Sequence, residues 1–137
     1  MKRSAENPQI LFVCEDNAGP SQMAEAFAEK FGMKASSAGR HAKAVLNPNA
    51  VQAMKESGID ISRNKPKSLT PQIINAASLV VTIGCSFEGA SPVCMQSQIR
   101  EKTIQWNWKG LKRRNISDVR EIRDEIERRV NGLSRDL

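Results

Sequence analysis

The chain of 137 residues has no long hydrophobic run, one histidine and three cysteines, and each scarcity excludes something. The longest apolar runs, residues 10–14 and 79–83, fall far short of the roughly 20 residues that a bilayer-spanning helix requires, so a membrane span is not expected. The start, Met1-Lys2-Arg3 followed by a polar stretch to Gln9, lacks the apolar segment and small-residue cleavage site of a secretory signal, which points to the cytoplasm. Three cysteines, an odd number, argue against a disulfide framework. In a reducing compartment Cys14, Cys85 and Cys94 read as thiols, either reactive or simply buried. His41 sits in a basic turn beside Arg40 and Lys43 and is expected to be exposed rather than catalytic. No metal site and no bound cofactor are expected.

What is present suits one ordinary core: 39% hydrophobic residues over this length predict a single domain spanning residues 1–137. A net charge of +6 makes anionic partners plausible, whether phosphate, arsenate, nucleic acid or an acidic protein surface, without choosing among them. One cluster stands out, Lys109, Lys112, Arg113 and Arg114, with Trp106 and Trp108 just ahead of it. Its ordinary reading is a solvated loop; its sharper one is contact with a polyanion, because aromatic residues interleaved with basic ones suit base stacking and phosphate contact.

Strand and helix patterns alternate along the chain. Residues 9–13 and 79–83 read as short buried strands, residues 34–37 as a third, and residues 102–106 as an edge strand. Residues 21–31 carry Met23, Ala24, Phe27, Ala28 and Phe31 at helical spacing, with Gly32 as a stop. Asn47 caps a second helix that opens with Pro48, and Thr70 caps a third that opens with Pro71. Behind Ser117, read as a cap, Val119, Ile122, Ile126, Val130 and Leu133 recur every three or four residues, with Glu121, Glu125, Arg120 and Asp124 on the solvated face. Such alternation implies a parallel sheet covered on both faces.

In open α/β sheets ligands bind beyond the carboxyl ends of the strands, where a helix N-terminus offers unpaired amides to an anion. Cys14 occupies that place, at the end of the first strand and ahead of the first helix. A thiol facing those amides and the helix dipole is expected to have a lowered pKa and to act as a nucleophile; the alternative is a small buried hydrophobe at a strand end.

The segment Ile10-Leu11-Phe12-Val13-Cys14, then Asn17, then Ser21-Gln22-Met23-Ala24-Glu25-Ala26 resembles the opening of the low-molecular-weight tyrosine phosphatases and thioredoxin-coupled arsenate reductases. Further matches, Ser37-Ala38-Gly39, Asn47-Pro48-Asn49-Ala50-Val51, Gly58-Ile59-Asp60-Ile61-Ser62 and Val81-Thr82-Ile83-Gly84-Cys85, follow in the family's order. The resemblance implies a flavodoxin-like three-layer sandwich, with a four-stranded parallel sheet in the order 2-1-3-4. It places Cys14 as nucleophile, and Asn17, Ala18, Gly19 and Ser21 in the oxyanion loop, with Arg40 at its mouth. It makes Cys85 and Cys94 a redox pair, with thioredoxin or another thiol reductant as co-substrate.

The chain departs from that pattern at decisive points. The family loop has the form Cys, five residues, Arg, Ser, and the position of the Arg holds Pro20. Proline removes both the guanidinium and a backbone N–H from the anion cradle. Glu15 and Asp16 add negative charge to the same loop. The Asp-Pro pair that supplies the general acid is absent, since the sequence after Trp106 runs Asn107-Trp108-Lys109-Gly110-Leu111. The third thiol stands in Ala90-Ser91-Pro92-Val93-Cys94 rather than in an Ala-Cys-Pro context. The expectation is therefore impaired catalysis, or a pseudoenzyme that binds an anionic partner. Arg40, His41 or Lys43 on one rim and the basic cluster on the other are candidates to replace the lost charge.

Overall fold

The computed structural model describes residues 9–85, 101–112 and 115–136. Four strands, β1 (Gln9–Cys14), β2 (Lys34–Gly39), β3 (Leu79–Ile83) and β4 (Thr103–Trp106), pair in the order β2-β1-β3-β4. Every pairing is parallel, as the alternation of strand and helix patterns requires. Helices α1 (Pro20–Lys30), α2 (Pro48–Glu56), α3 (Pro71–Ala76) and α4 (Ile116–Asp136) complete the described elements.

The sheet is covered on both faces, and the side chains of β1 alternate between them. Ile10 and Phe12 join Val81 and Ile83 in a core shared with Met23, Phe27, Met54, Ile122, Ile126 and Val130. Leu11 and Val13 turn the other way, with Val80, onto Ile74 of α3. This is the flavodoxin-like arrangement that the sequence resemblance implies. The apolar stripe of α4, Val119 to Leu133 at helical spacing, is buried along its whole length. Each such side chain contributes on the order of 1.5–3 kcal/mol when fully covered.

Capping is mostly as the sequence reads. Asn47 accepts from the Asn49 amide at 2.9 Å, and Thr70 Oγ1 accepts from the Ile73 amide at 3.2 Å. The start of α4 differs: the cap is Asn115, whose Oδ1 accepts from the Asp118 amide at 2.8 Å, and Ser117 already lies inside the helix. The charges on this helix also look outward to other partners. Arg120 and Arg123 converge on Glu56 of α2, and Glu125 pairs with Arg128 and Arg129.

Parallel pairing places Cys14 beside Gly39 at the carboxyl end of the sheet. A Cβ on Gly39 would lie 2.7 Å from the Asn17 amide nitrogen, so only glycine lets β2 end against the loop that follows β1. That loop then turns directly into α1.

Candidate oxyanion loop around Cys14

Residues 14–21 wrap around one sulfur atom. Cys14 Sγ lies 2.8 Å from Ser21 Oγ and accepts from the Asn17 amide at 3.2 Å. Asn17 takes a left-handed backbone, φ 54°, a conformation that asparagine tolerates better than most residues. Its side chain holds it there: Nδ2 donates to Ser21 Oγ at 2.8 Å, and Oδ1 accepts from Gln22 Nε2 at 2.9 Å and from the Lys67 amide at 2.8 Å. Gln22 also donates to the Lys65 carbonyl at 3.2 Å and accepts from Asn64 at the same distance. Asn17, Ser21 and Gln22 are all fully buried, so the bonds among them are made without competing water, while those to residues 64, 65 and 67 are part-buried.

Sequence reading finds Asn17, Ala18, Gly19 and Ser21 but misses Gln22 and the segment 64–67 that brace them. The available signal is a glutamine one residue beyond the loop serine, on a helix face that otherwise carries Met23, Ala24 and Phe27.

Cys14 is 3% exposed, and this reverses the expected direction of its acidity. Burial pushes the thiol above its ordinary value, outweighing the Ser21 and Asn17 hydrogen bonds that favour thiolate, and the Asp16 carboxylate adds in the unfavourable direction. The loop hydrogen bonds favour the thiolate locally, and the packing around the sulfur overrides them.

Pro20 sits at the first turn of α1, buried, with Gly19 as the preceding residue. That position suits proline, whose missing N–H is one the helix does not need. At the neighbouring amide, Ala18 N–H donates to Asp16 Oδ1 at 2.9 Å, and the same oxygen lies 3.8 Å from Cys14 Sγ. Asp16 Oδ2 is 3.7 Å from Lys43 Nζ. Glu15 takes the other rim, 3.8 Å from Arg40 and 3.5 Å from His41. The basic groups read as substitutes for the lost arginine thus already face the loop's own carboxylates. His41 is exposed, as its setting in a basic turn implies. A cleft of about 360 Å³ opens here, lined by Asp16, Ala18, Gly19, Lys43, Leu46 and Asn47.

Cys85 follows the left-handed Gly84, φ 73°, and donates its thiol to the Val13 carbonyl at 3.6 Å. Burial first, then the nearby Cys14, push this thiol up to about 12. Cys94 lies outside the described residues, as do Arg113 and Arg114. Where a general acid is sought after β4, the chain instead buries Leu111. A Cβ on Gly84 would come within 2.9 Å of that leucine.

Both tryptophan rings of the basic and aromatic segment are engaged by other parts of the chain. Trp106 is buried in the core against Phe12, ring centroids 6.1 Å apart. Arg129 lies 4.6 Å from the centroid of Trp108 and covers one of its faces. The cleft beside Trp108 and Lys109 carries Asp118, Glu121 and Glu125, a lining that disfavours a polyanion. Burial withdraws Trp106 from base stacking, and one face of the partly buried Trp108 is taken.

Known proteins resemble this chain along most of its length. An arsenate reductase of Brevibacillus brevis is 38% identical over 91% of this chain and 92% of its own length. Among solved structures, the thioredoxin-dependent arsenate reductase of Corynebacterium glutamicum superposes with a TM-score of 0.78 at 30% identity, over 98% of this chain and 63% of that one. An arsenate reductase in its phosphate-binding state gives 0.78 at 26% identity, over 94% and 98% of the two chains. The profile of the low molecular weight phosphotyrosine protein phosphatases matches residues 9–137, and the chain belongs to that family.

Proposed function

We propose that this chain is an arsenate reductase-like member of the family whose Cys14 loop keeps the scaffold for tetrahedral oxyanions but is too weak for efficient turnover. The observation that carries this reading is the state of the loop itself. Residue 20 supplies neither guanidinium nor amide, the Ala18 amide is taken by Asp16, and the Cys14 thiol is raised rather than lowered. Losing one comparable oxyanion donor costs about 2.7–4 kcal/mol of transition-state stabilisation.

Within the family's reactions, the reductase branch is better supported than the phosphatase branch. Phosphomonoester hydrolysis needs a general acid, and the segment after β4 offers Leu111 instead. Arsenate reduction chiefly needs thiols. The Cys14 sulfur would bond to arsenic as water leaves. A second thiolate, from Cys85, would then bond to the Cys14 sulfur while the As–S electron pair goes to arsenic, giving arsenite and a disulfide. Passage of that oxidation through Cys94 to thioredoxin or another dithiol would reset the protein. The elevated Cys85 thiol makes the second step slow in the resting arrangement.

The test is arsenate reduction with thioredoxin, and aryl phosphate hydrolysis, by the wild type, Cys14→Ser and Pro20→Arg. Little turnover is expected of the wild type, and a gain in reduction but not hydrolysis is expected of Pro20→Arg. Brisk, Cys14-dependent turnover by the unmodified chain would refute the reading.

A second reading, a pseudoenzyme that binds an anionic partner through the charges of Lys109, Lys112, Arg113 and Arg114 alone, draws support from the net charge of +6 and from the self-satisfied loop, and has the acidic lining beside Lys109 against it. Salt-sensitive binding to an anionic polymer, in a protein without turnover, would favour it.

A further inference from the structure

We infer that Asp16 is a built-in competitor for the oxyanion cradle, a carboxylate of the chain that holds the amide and the cation an incoming tetrahedral anion would otherwise use. This deepens the proposed function and rests on its reading of residues 14–21 as an oxyanion loop.

Three contacts converge on this one side chain. Oδ1 accepts from the Ala18 amide at 2.9 Å, inside the loop. The same oxygen accepts from the Cys14 thiol at 3.8 Å, so the carboxylate lies against the sulfur that an oxyanion would have to reach. Oδ2 faces Lys43 Nζ at 3.7 Å, across the cleft that Ala18, Gly19 and Asn47 also line. The Asp16 side chain is only 18% exposed while Lys43 is 67% exposed, so the acid is the settled partner and the lysine is drawn to it. With Glu15 set against Arg40 and the His41 ring, the basic groups at the mouth each face a carboxylate of the loop.

The loss of the arginine and the presence of Asp16 are therefore separate obstacles. Pro20 takes donors away. Asp16 occupies a donor that remains and places a negative charge where a dianion must sit, a repulsion that is large at this separation in a partly covered site. Restoring the arginine alone would leave the second obstacle standing.

The experiment is a titration with inorganic phosphate, followed through the backbone amide of Ala18 by nitrogen-15 NMR. It compares wild type, Pro20→Arg, Asp16→Ala, Asp16→Asn and the double variant Asp16→Ala with Pro20→Arg. Alanine removes both charge and acceptor; asparagine keeps an oxygen for the Ala18 amide and removes only the charge, and it preserves the side-chain shape should the alanine variant fold poorly. In the Pro20→Arg background, Asp16→Ala is expected to tighten phosphate binding about tenfold or more, and Asp16→Asn to fall between. In the wild-type background the order is the same at weaker affinity.

If Pro20→Arg binds phosphate and neither change at residue 16 improves it, the competitor role is refuted while the oxyanion loop stands. If the double variant binds no phosphate at all, with its native amide pattern intact, the reading of the loop falls and this inference with it.

Discussion

Ser21 Oγ lies 2.8 Å from Cys14 Sγ while accepting from Asn17 Nδ2 at 2.8 Å, and once the thiol ionises only the serine can donate in that contact. That bond favours the thiolate against the burial that opposes it. Ser21→Ala should raise the Cys14 thiol further and slow its alkylation by iodoacetamide about tenfold in mildly alkaline solution, the effect of one hydrogen bond to a charged group. Peptide mapping separates Cys14 from the other thiols. An unchanged rate would mean that the hydroxyl donates elsewhere.

Gly39→Ala should damage the loop from outside it. The added Cβ would meet the Asn17 amide nitrogen and the Asp16 carbonyl carbon, both at 2.7 Å. These are backbone atoms that cannot step aside as a flexible side chain would. A destabilisation of about 1–3 kcal/mol is expected from overpacking of this kind, read from the urea midpoint, together with shifted amide resonances for residues 16–18. A stability equal to wild type would show that β2 can move away from the loop.

Glu56 joins α2 to α4 and gives a pH test of their packing. Hydrogen bonds from Arg120 first, then Gln52, lower its carboxyl from 4.5 to about 2. Its contribution is therefore fully present above the unfolded value of 4.5 and is lost as pH falls towards 2. Glu56→Gln should be less stable than wild type at neutral pH, and the gap between their urea midpoints should close across that acid window. A gap independent of pH would assign the effect to packing instead.

Arg129 is predicted to hold the segment after β4 against α4. Its guanidinium lies over Trp108 at 4.6 Å and bonds Glu125 at 2.6 Å. Arg129→Ala should cost about 1 kcal/mol and shift tryptophan fluorescence towards the solvent-exposed form. Fluorescence identical to wild type would show that Trp108 is held by other contacts.

Much of the fold was legible because its signals are local. The 3.6-residue stripe of α4, the prolines that open α2 and α3 and the apolar runs of β1 and β3 each report their own element. The loop residues Asn17 and Ser21 were legible by position alone. The direction of the Cys14 acidity was not, because it depends on packing contributed by distant elements. Gln22, Lys67 and Gly39 escaped for the same reason: their roles exist only once β2 is in register beside β1 and the chain of residues 64–67 has come back under the loop. The α4 cap was misplaced because Asn115 and Ser117 are both good capping residues two positions apart, and nothing local decides between them.

The bracing of Asn17 by Gln22 and by the Lys67 amide has a practical corollary. A loop that completes its polar contacts during folding reaches its final form before any guest arrives, so a guest has no loop ordering to offset and adds stability according to its own affinity and concentration alone. The weak affinity proposed for this loop, not its rigidity, is what would keep shifts small in melting-temperature screens, so such screens need oxyanion well above its dissociation constant.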